Sequence, residues 1–140
     1  QGVRCFWVGG AMGADMWAAE ILLRMKEQTA YQDVELCLAL PFEGYDADWD
    51  DWHQKRMKFI RKYAAKVLIL GEMPSSENYK KRNCFMVDQA GCMVAVYDNV
   101  NNMRSGTQQT VNYAKKKGLQ IIYIHPDTAQ VTTEDATLWK

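Results

Sequence analysis

Residues 4–15 read RCFWVGGAMGAD, an apolar run that leads directly into a glycine-rich turn. An amphipathic pattern follows, with Ala18, Ile21, Leu22 and Met25 at the i, i+3, i+4, i+7 spacing of a helix face. Glycines let the backbone turn tightly, and the start of a helix offers unpaired N–H groups and the positive end of its dipole. The stretch therefore predicts a strand, a turn and a helix, with an anion such as phosphate docking at the turn.

Asp15, in the first helical turn, complicates a phosphate site there. A carboxylate at this position suits the helix dipole but would repel a phosphate held by the same turn. Two interpretations stay open: Asp15 binds ribose hydroxyls, or it is a plain helix-start residue. For the turn as a whole, the alternative is a tight strand-to-helix connection without a ligand.

Short, mostly continuous apolar runs recur along the chain and predict strands covered on both faces. The five apolar runs are Arg4 to Val8, Val34 to Leu40, Val67 to Leu70, Cys92 to Tyr97 and Gln120 to Ile124. Further helices are predicted from Met57, Ile60 and Ala64, from Lys80 to Ala90, and from Ser105 to Lys117, where Val111 and Ala114 face inward and Gly118 ends the helix. The alternation predicts an α/β fold, a Rossmann-like three-layer sandwich with a mainly parallel sheet of about five strands and helices on both faces.

Composition limits the function classes. The 140 residues, 48% of them hydrophobic, predict a single domain over residues 1–140. Seventeen basic and seventeen acidic side chains cancel, which argues against a nucleic-acid or membrane partner and makes any phosphate affinity local. No apolar run approaches the ~20 residues of a membrane helix, and the first residues lack the features of a secretory signal. We therefore expect a cytoplasmic protein, or one whose start is missing.

Two further segments are candidates for ligand binding. Asn99 to Thr107 follows a strand and ends in Ser105, Gly106 and Thr107 at a helix start, where plain capping is the alternative. Ligands of open α/β sheets bind at the carboxyl ends of strands, so this loop and the first turn are expected to face one crevice. In the basic cluster Tyr79 to Asn83, the arginine fork suits phosphate, and a solvated helix face is the alternative.

Other chemistry finds little support in the sequence. The acidic and aromatic residues 43–52 lack the glycine and glutamate of an EF-hand, so we expect an acidic helix start with Trp49 or Trp52 packed over a crevice. The histidines, His53 and His125, lie near no recognisable nucleophile motif. The four cysteines lack the close spacing of zinc or redox sites, so buried free thiols, no metal and no identified cofactor are expected.

Four ordered motifs resemble one known family. They are Gly9-Gly10-Ala11-x-Gly13-x-Asp15, Leu40-Pro41-Phe42-Glu43, Lys81-Arg82-Asn83-x-x-Met86-Val87-Asp88 and Gly106-Thr107-x-x-Thr110-Val111-x-Tyr113-Ala114. Together they resemble the YpsA/YoqJ-like branch of the SLOG superfamily, a Rossmann-like group related to the LOG phosphoribohydrolases and to DprA. The resemblance spans nearly the whole chain, from Val3 to Ile124.

The resemblance implies a nucleotide or nucleotide-derived ligand, held by the two glycine-bearing loops and by Arg82 on the intervening helix. The ligand-binding residues it implies, together with the candidates above, are Gly9, Gly10, Ala11, Met12, Gly13, Asp15, Arg82, Asn83, Ser105, Gly106 and Thr107. The family usually has an N-terminal strand and helix before the region that begins here at Val3. By that comparison the chain is truncated at its N-terminus, and an exposed strand is left that could pair with another chain, as in a homodimer.

Departures from the LOG enzymes weaken an enzymatic interpretation. Asn83 replaces the lysine of their arginine-lysine pair, and Thr110 stands where their catalytic glutamate is expected. The main hypothesis is therefore a nucleotide-sensing domain. The alternatives are a hydrolase of LOG type, using Asp15, Glu43 or Asp88 as its carboxylate, and a DprA-like binder of single-stranded nucleic acid, which the neutral net charge disfavours.

Overall fold

The computed structural model describes residues 2–97 and 106–134. Their elements are β1 (Cys5–Val8), α1 (Ala14–Met25), β2 (Glu35–Phe42), α2 (Asp51–Tyr63), β3 (Lys66–Gly71), α3 (Glu77–Gln89), β4 (Cys92–Val96), α4 (Gly106–Lys116), β5 (Gln120–Ile124) and β6 (Val131–Glu134), with a single 3₁₀ turn at Thr29–Tyr31. The predicted α/β class is confirmed, and all five predicted strands are present. None of the described helices is both long and apolar enough to cross a membrane.

The chain divides into two compact units, Gln1–Arg82 and Asn83–Lys140. In the first unit, β1, β2 and β3 form a parallel sheet with β2 between its neighbours. Residues 36–41 of β2 are all buried, as expected of a parallel strand covered on both faces. The carboxyl ends of β1 and β2 lie at the same edge, so the turn after β1 is brought near the segment after β2.

The core of the first unit lies between this sheet and helices α1 and α2. Its buried members are Val8, Met16, Ala19, Leu22, Val34, Leu36, Leu38, Leu40, Met57 and Ile60. The predicted stripe on α2 is confirmed at Met57 and Ile60, and Ala64 packs against the same core.

The predicted stripe on α1 is wrong. Of its four members only Leu22 is buried; the sheet-facing residues are Met16 and Ala19, and Ile21 is 55% exposed. Helix α1 carries apolar or small residues on more than one face, so the sequence offers two overlapping stripes of helical period. Periodicity alone does not choose between them.

The second unit holds β4, β5 and β6, with β4 and β5 parallel and β6 antiparallel to β5. Whereas one sheet of about five strands was predicted, the described strands are hydrogen-bonded as two sheets of three. The sixth strand, β6, was not predicted because Val131–Glu134 is a mostly exposed stretch with a single apolar residue. Its partner β5 has the predicted bounds.

Helix α4 packs on this second sheet as its sequence predicts. Val111 and Ala114 are buried in a core with Val87, Ala95, Leu119, Ile121 and Tyr123. At its end, the Leu119 N–H donates to the Ala114 carbonyl and the Gly118 N–H to the Lys115 carbonyl, both at 3.0 Å. With Gly118 at φ +77°, this is a Schellman motif. Ser105, which the sequence offers as a cap for this helix, lies outside the described residues.

Candidate functional site

The glycine turn after β1 has the backbone that the sequence predicts. Gly10 and Gly13 lie in the left-handed region, at φ +74° and +88°. Gly13 is the N-cap of α1, and the first helical hydrogen bond runs from the Trp17 N–H to the Gly13 carbonyl, at 3.1 Å. The N–H groups of residues 14–16 precede this bond and have no acceptor within the helix.

Two side chains from distant parts of the chain hold the carbonyl groups of the turn. An Nη1 N–H of Arg82 donates to the Gly9 carbonyl oxygen. The Tyr45 hydroxyl donates to the Gly10 carbonyl oxygen at 2.8 Å. Arg82 is only 6% exposed, so its bond lies inside the first unit. The lone pairs of both carbonyls, which would repel an approaching anion, are thus engaged by donors.

Close packing also requires glycine at two positions of the turn. A Cβ added to Gly9 would lie 2.9 Å from both the Arg82 Nη1 and the Asp15 Oδ2 atoms. A Cβ added to Gly10 would lie 2.6 Å from the Tyr45 hydroxyl and 2.7 Å from a Leu40 methyl carbon. Gly9 and Gly10 therefore permit the approach of the anchoring side chains.

Asp15, in the first turn of α1, hydrogen-bonds to the backbone of the glycine turn. Its Oδ2 atom accepts the Ala11 N–H at 3.2 Å. Burial raises the pKa of this carboxyl group, while the Ala11 amide and the positive charge of Arg82 act in the opposite direction. Of the two interpretations of Asp15, the bond to Ala11 supports a structural role at the helix start, and a ribose contact stays a prediction.

The basic cluster at the start of α3 separates into exposed and buried members. Lys80 and Lys81 are exposed, whereas Arg82 is buried with its guanidinium 5.6 Å from the centre of the Tyr79 ring. Burial lowers the pKa of Arg82, opposed by the charge of Asp15, but a guanidinium stays protonated in proteins. The alternative interpretation, a solvated helix face, therefore holds for Lys80 and Lys81 but not for Arg82.

The remaining predicted ligand residues are in the second unit, outside the described residues or, for Met12, exposed on the turn itself. Asn83 is half-buried on α3 and belongs to the second unit, as do Gly106 and Thr107, which are exposed at the start of α4. Ser105 lies outside the described residues. Met12 is 48% exposed on the glycine turn.

Within the first unit, then, the structure brings together Gly9, Ala11, Asp15 and Arg82. It adds Tyr45, which we did not predict as a site residue. The signal for Tyr45 was its place just after a strand adjacent to β1, since the carboxyl ends of neighbouring parallel strands share one edge.

The other carboxylates named for a hydrolase are engaged at the protein surface. Glu43 accepts two hydrogen bonds from Arg61, at 2.8 and 3.1 Å, and these lower its pKa. Asp88 accepts the Tyr113 hydroxyl at 2.8 Å. Thr110, at the position of the LOG glutamate, donates its hydroxyl to the Gly106 carbonyl of its own helix at 2.7 Å.

The start of α2 is acidic, as predicted. Asp50 is the N-cap of α2, and its carboxylate accepts a hydrogen bond from the His53 backbone N–H at 3.3 Å. A second hydrogen bond joins the carboxylate to the His53 Nδ1 atom at 2.5 Å and lowers the pKa of Asp50. Trp49 packs edge-on against Tyr45, with ring centroids 5.5 Å apart. Trp52 is exposed, with the Arg56 guanidinium 4.5 Å from its ring. Trp49, and not Trp52, therefore supports the anchor of the turn.

A small cavity of about 140 Å³ lies in the second unit, at the carboxyl ends of β4 and β5. Its lining residues are Tyr97, Tyr123, His125, Gln130 and Thr132. The His125 Nδ1 atom accepts the Asp127 and Thr128 N–H groups, at 3.1 and 3.3 Å, and so stabilises the turn before β6. Small-molecule sites usually enclose roughly 300–1,000 Å³, so this cavity falls below the size of a nucleotide site.

The parallel β-α-β arrangement and the anchored glycine turn define an α/β protein of Rossmann-like type. A family model described as YpsA, the YspA SLOG family, matches residues 1–129, and the chain belongs to this family. Among similar proteins, a UPF0398 protein of Bacillus cereus strain B4264 is 29% identical over 120 residues, which is 84% of this chain and 63% of that protein. The SPbeta prophage-derived protein YoqJ of Bacillus subtilis strain 168 is 31% identical over 136 residues, which is 87% of this chain and 77% of YoqJ.

A second UPF0398 protein, from Bacillus cereus strain G9842, is 28% identical over the same length. The chain spans about 63% of the length of these UPF0398 relatives. Both groups of relatives agree with the branch that the four sequence motifs indicate.

Proposed function

We propose that the protein binds a nucleotide or nucleotide-derived molecule and acts as a sensing domain, with a phosphate group at the turn formed by residues 9–13. The observation that supports this most is the anchoring of the Gly9 and Gly10 carbonyls by Arg82 and Tyr45. It fixes the backbone that leads into the N-terminus of α1. Membership of the SLOG family adds support, because the sequence motifs of this group imply such a ligand.

The electrostatics of the turn favour an anion. Arg82 places a positive charge beside the Asp15 carboxyl group, and Asp15 also accepts the Ala11 N–H. The N–H groups at the start of α1 and the helix dipole then add a positive potential next to Gly13. Because the turn is held by side chains, an arriving phosphate would need little reorganisation of the backbone.

The proposal extends to the second glycine-bearing loop, Ser105 to Thr107, and to Asn83. A helix starts at Gly106, so the same helix-start chemistry is available to an anion there. We place the protein in the cytoplasm as part of this proposal, since its four cysteines are free thiols of the kind a reducing compartment maintains.

Met12 provides the sharpest test, because it is exposed on the turn and no described contact depends on it. Arg82 is unsuitable, since replacing it would also release the Gly9 carbonyl. Met12→Asp and Met12→Asn introduce side chains of equal size that differ only in charge. A carboxylate close to a bound phosphate costs roughly 1 kcal/mol or more, about a fivefold increase in Kd.

The measurement is a thermal-shift screen of nucleoside mono-, di- and triphosphates, ADP-ribose and cyclic nucleotides, followed by calorimetric titration of the best ligand. We expect Met12→Asn to bind as the unaltered chain does, and Met12→Asp to bind more weakly, with a difference that shrinks as salt is added. Equal affinities of the two variants would remove the turn from the site. Failure of every nucleotide to stabilise the chain would contradict the proposed ligand class.

A hydrolase is the second candidate, and the raised pKa of Asp15 is the observation that favours it. A carboxyl group with a raised pKa is suited to act as a general acid: it donates a proton to the leaving base of a nucleoside monophosphate, water adds to the ribose carbon, and the proton of that water returns to the carboxylate. The test incubates nucleoside monophosphates with an excess of protein and follows the free base by chromatography. Release that Asp15→Asn abolishes, and exposed Asp48→Asn leaves unchanged, would establish this activity. No release by the folded protein would refute it.

A further inference from the structure

Two cysteines from different strands come together at the amino-terminal end of the first sheet. In the β1–β2 register, Cys5 lies opposite Glu35 and Trp7 opposite Cys37. Residues two apart on a strand share a face, so Cys5, Glu35 and Cys37 all lie on one side of the sheet. The Sγ atoms of Cys5 and Cys37 are 3.7 Å apart. A carboxylate oxygen of Glu35 lies within 4.8 Å of both sulfur atoms.

This arrangement departs from the expectation of four buried free thiols. Cys37 is 2% exposed, but Cys5 is exposed, and Cys84 and Cys92 are intermediate. Because Cys5 reaches solvent, the pair is accessible from outside. No short sequence spacing indicated it, since the two residues are 32 positions apart.

The separation of the sulfur atoms matches a shared metal ion. Two thiolates bound at about 2.3 Å, with a tetrahedral angle between them, lie about 3.8 Å apart. A disulfide would require a separation of about 2.05 Å. A carboxylate oxygen belongs about 3.6 Å from each sulfur in the same geometry, which an exposed Glu35 side chain can reach by rotation.

The surroundings of Cys37 act in both directions on the formation of its thiolate. Burial and the neighbouring Cys5 raise the pKa of Cys37 to about 11, so its thiol is protonated near neutral pH and a metal must displace that proton. Lys66 lies opposite Cys37 on β3, and its charge opposes this effect by favouring the thiolate. The buried strand β2 supplies two of the three ligands, so their backbone is already ordered.

We propose that Cys5, Glu35 and Cys37 bind a thiophilic divalent cation of the zinc type, with water in the fourth position. The site is separate from the proposed nucleotide site, because Cys5 begins β1 and the glycine turn follows its end. Four residues of extended strand place these positions roughly 13 Å apart. The bound ion would link β1 to β2.

The test titrates Co²⁺, a spectroscopic substitute for zinc, into the full chain, whose thiols have been reduced with a phosphine and counted. We expect a thiolate-to-cobalt charge-transfer band that saturates at one ion per chain and disappears when Zn²⁺ is added. Binding should release protons, because a thiol gives up its proton when it becomes a metal ligand. Replacing a residue that only hydrogen-bonds to a metal ligand commonly weakens metal affinity about 10–100-fold. Replacing a ligand itself should therefore weaken Co²⁺ binding at least about tenfold.

Variants assign the ligands. Cys5→Ser should show a weaker band and a lower affinity for Co²⁺, since only the Cys37 thiolate remains, and it should keep the circular dichroism of the folded chain because Cys5 is exposed. Glu35→Gln should weaken binding and keep the band, whereas Cys84→Ser and Cys92→Ser are matched controls that should bind normally. The absence of a band from the folded, reduced chain would overturn the site, as would a band of equal strength and affinity in Cys5→Ser.

Discussion

Replacing Gly10 with alanine should destabilise the protein more than its backbone conformation alone explains. An L-residue in the left-handed region costs about 1–2 kcal/mol. The added Cβ would also lie 2.6 Å from the Tyr45 hydroxyl and 2.7 Å from Leu40, and relieving such overpacking typically costs about 1–3 kcal/mol. We therefore expect Gly10→Ala to lower the free energy of unfolding by roughly 2–5 kcal/mol.

Gly44→Ala is the matched control for the backbone contribution. Gly44 lies at φ +82°, close to the value for Gly10, but a Cβ there meets nothing within 4 Å. Only the conformational cost of about 1–2 kcal/mol should remain, and both variants stiffen the unfolded chain equally. The difference between the two variants thus measures the contacts of the turn.

The assay is urea denaturation followed by tryptophan fluorescence and circular dichroism, with Tyr45→Phe and the double variant completing a cycle. Tyr45→Phe alone should cost about 0.5–1.5 kcal/mol, the net value of one hydrogen bond. In its background Gly10→Ala should cost less, because one of the two crowded atoms is gone, giving a coupling of about 0.5–3 kcal/mol. If Gly10→Ala were no more destabilising than Gly44→Ala, the described packing of the turn would be refuted.

Two other predictions concern Asp15 and α1. Since burial raises the pKa of Asp15, the folded chain retains a proton that the unfolded chain releases above its ordinary pKa of 3.8. The stability of the unaltered chain relative to Asp15→Asn should therefore fall as the pH rises above 3.8 in urea titrations, and a rise would contradict this sign. On α1, Met16→Ala should cost about 2–5 kcal/mol and Ile21→Ala less than about 1 kcal/mol by the same assay; the reverse order would restore the stripe expected from the sequence.

Local signals predicted much of the fold. The apolar runs located five strands, and β5 has the expected bounds because it is short, apolar and preceded by a helix-ending glycine. The end of α4 follows from local chemistry, since only a residue such as Gly118 adopts the left-handed conformation readily. Where the sequence allowed two solutions, as on α1, the sheet decided. Strand β6 is paired through its backbone and has almost no apolar pattern to read.

The candidate site was predictable in part. The positions of Gly9, Gly10 and Gly13 in the site could be predicted from local sequence, because a strand, three glycines and a helix follow one another directly. The anchors are different in kind: Tyr45 reaches Gly10 across 35 positions and Arg82 reaches Gly9 across 73. Strand pairing creates these contacts, as it does that between Cys5 and Cys37, and no local spacing encodes them. Arg82 was a candidate first as part of the basic cluster and then through the family resemblance, and its buried role was not foreseen.

The long separations between the turn and its anchors have a consequence for biosynthesis. The turn lies within the first fifteen residues of this sequence and would leave the ribosome before β2, Tyr45 and Arg82. Loop-closure entropy must be overcome before contacts so far apart along the chain can form. A nascent chain halted before Arg82 would therefore contain the three glycines of the turn but lack one of the two side-chain donors that hold its carbonyl groups. The turn is translated before its two anchors but is completed only with them, so the proposed ligand binding should begin only after α3 has been synthesised.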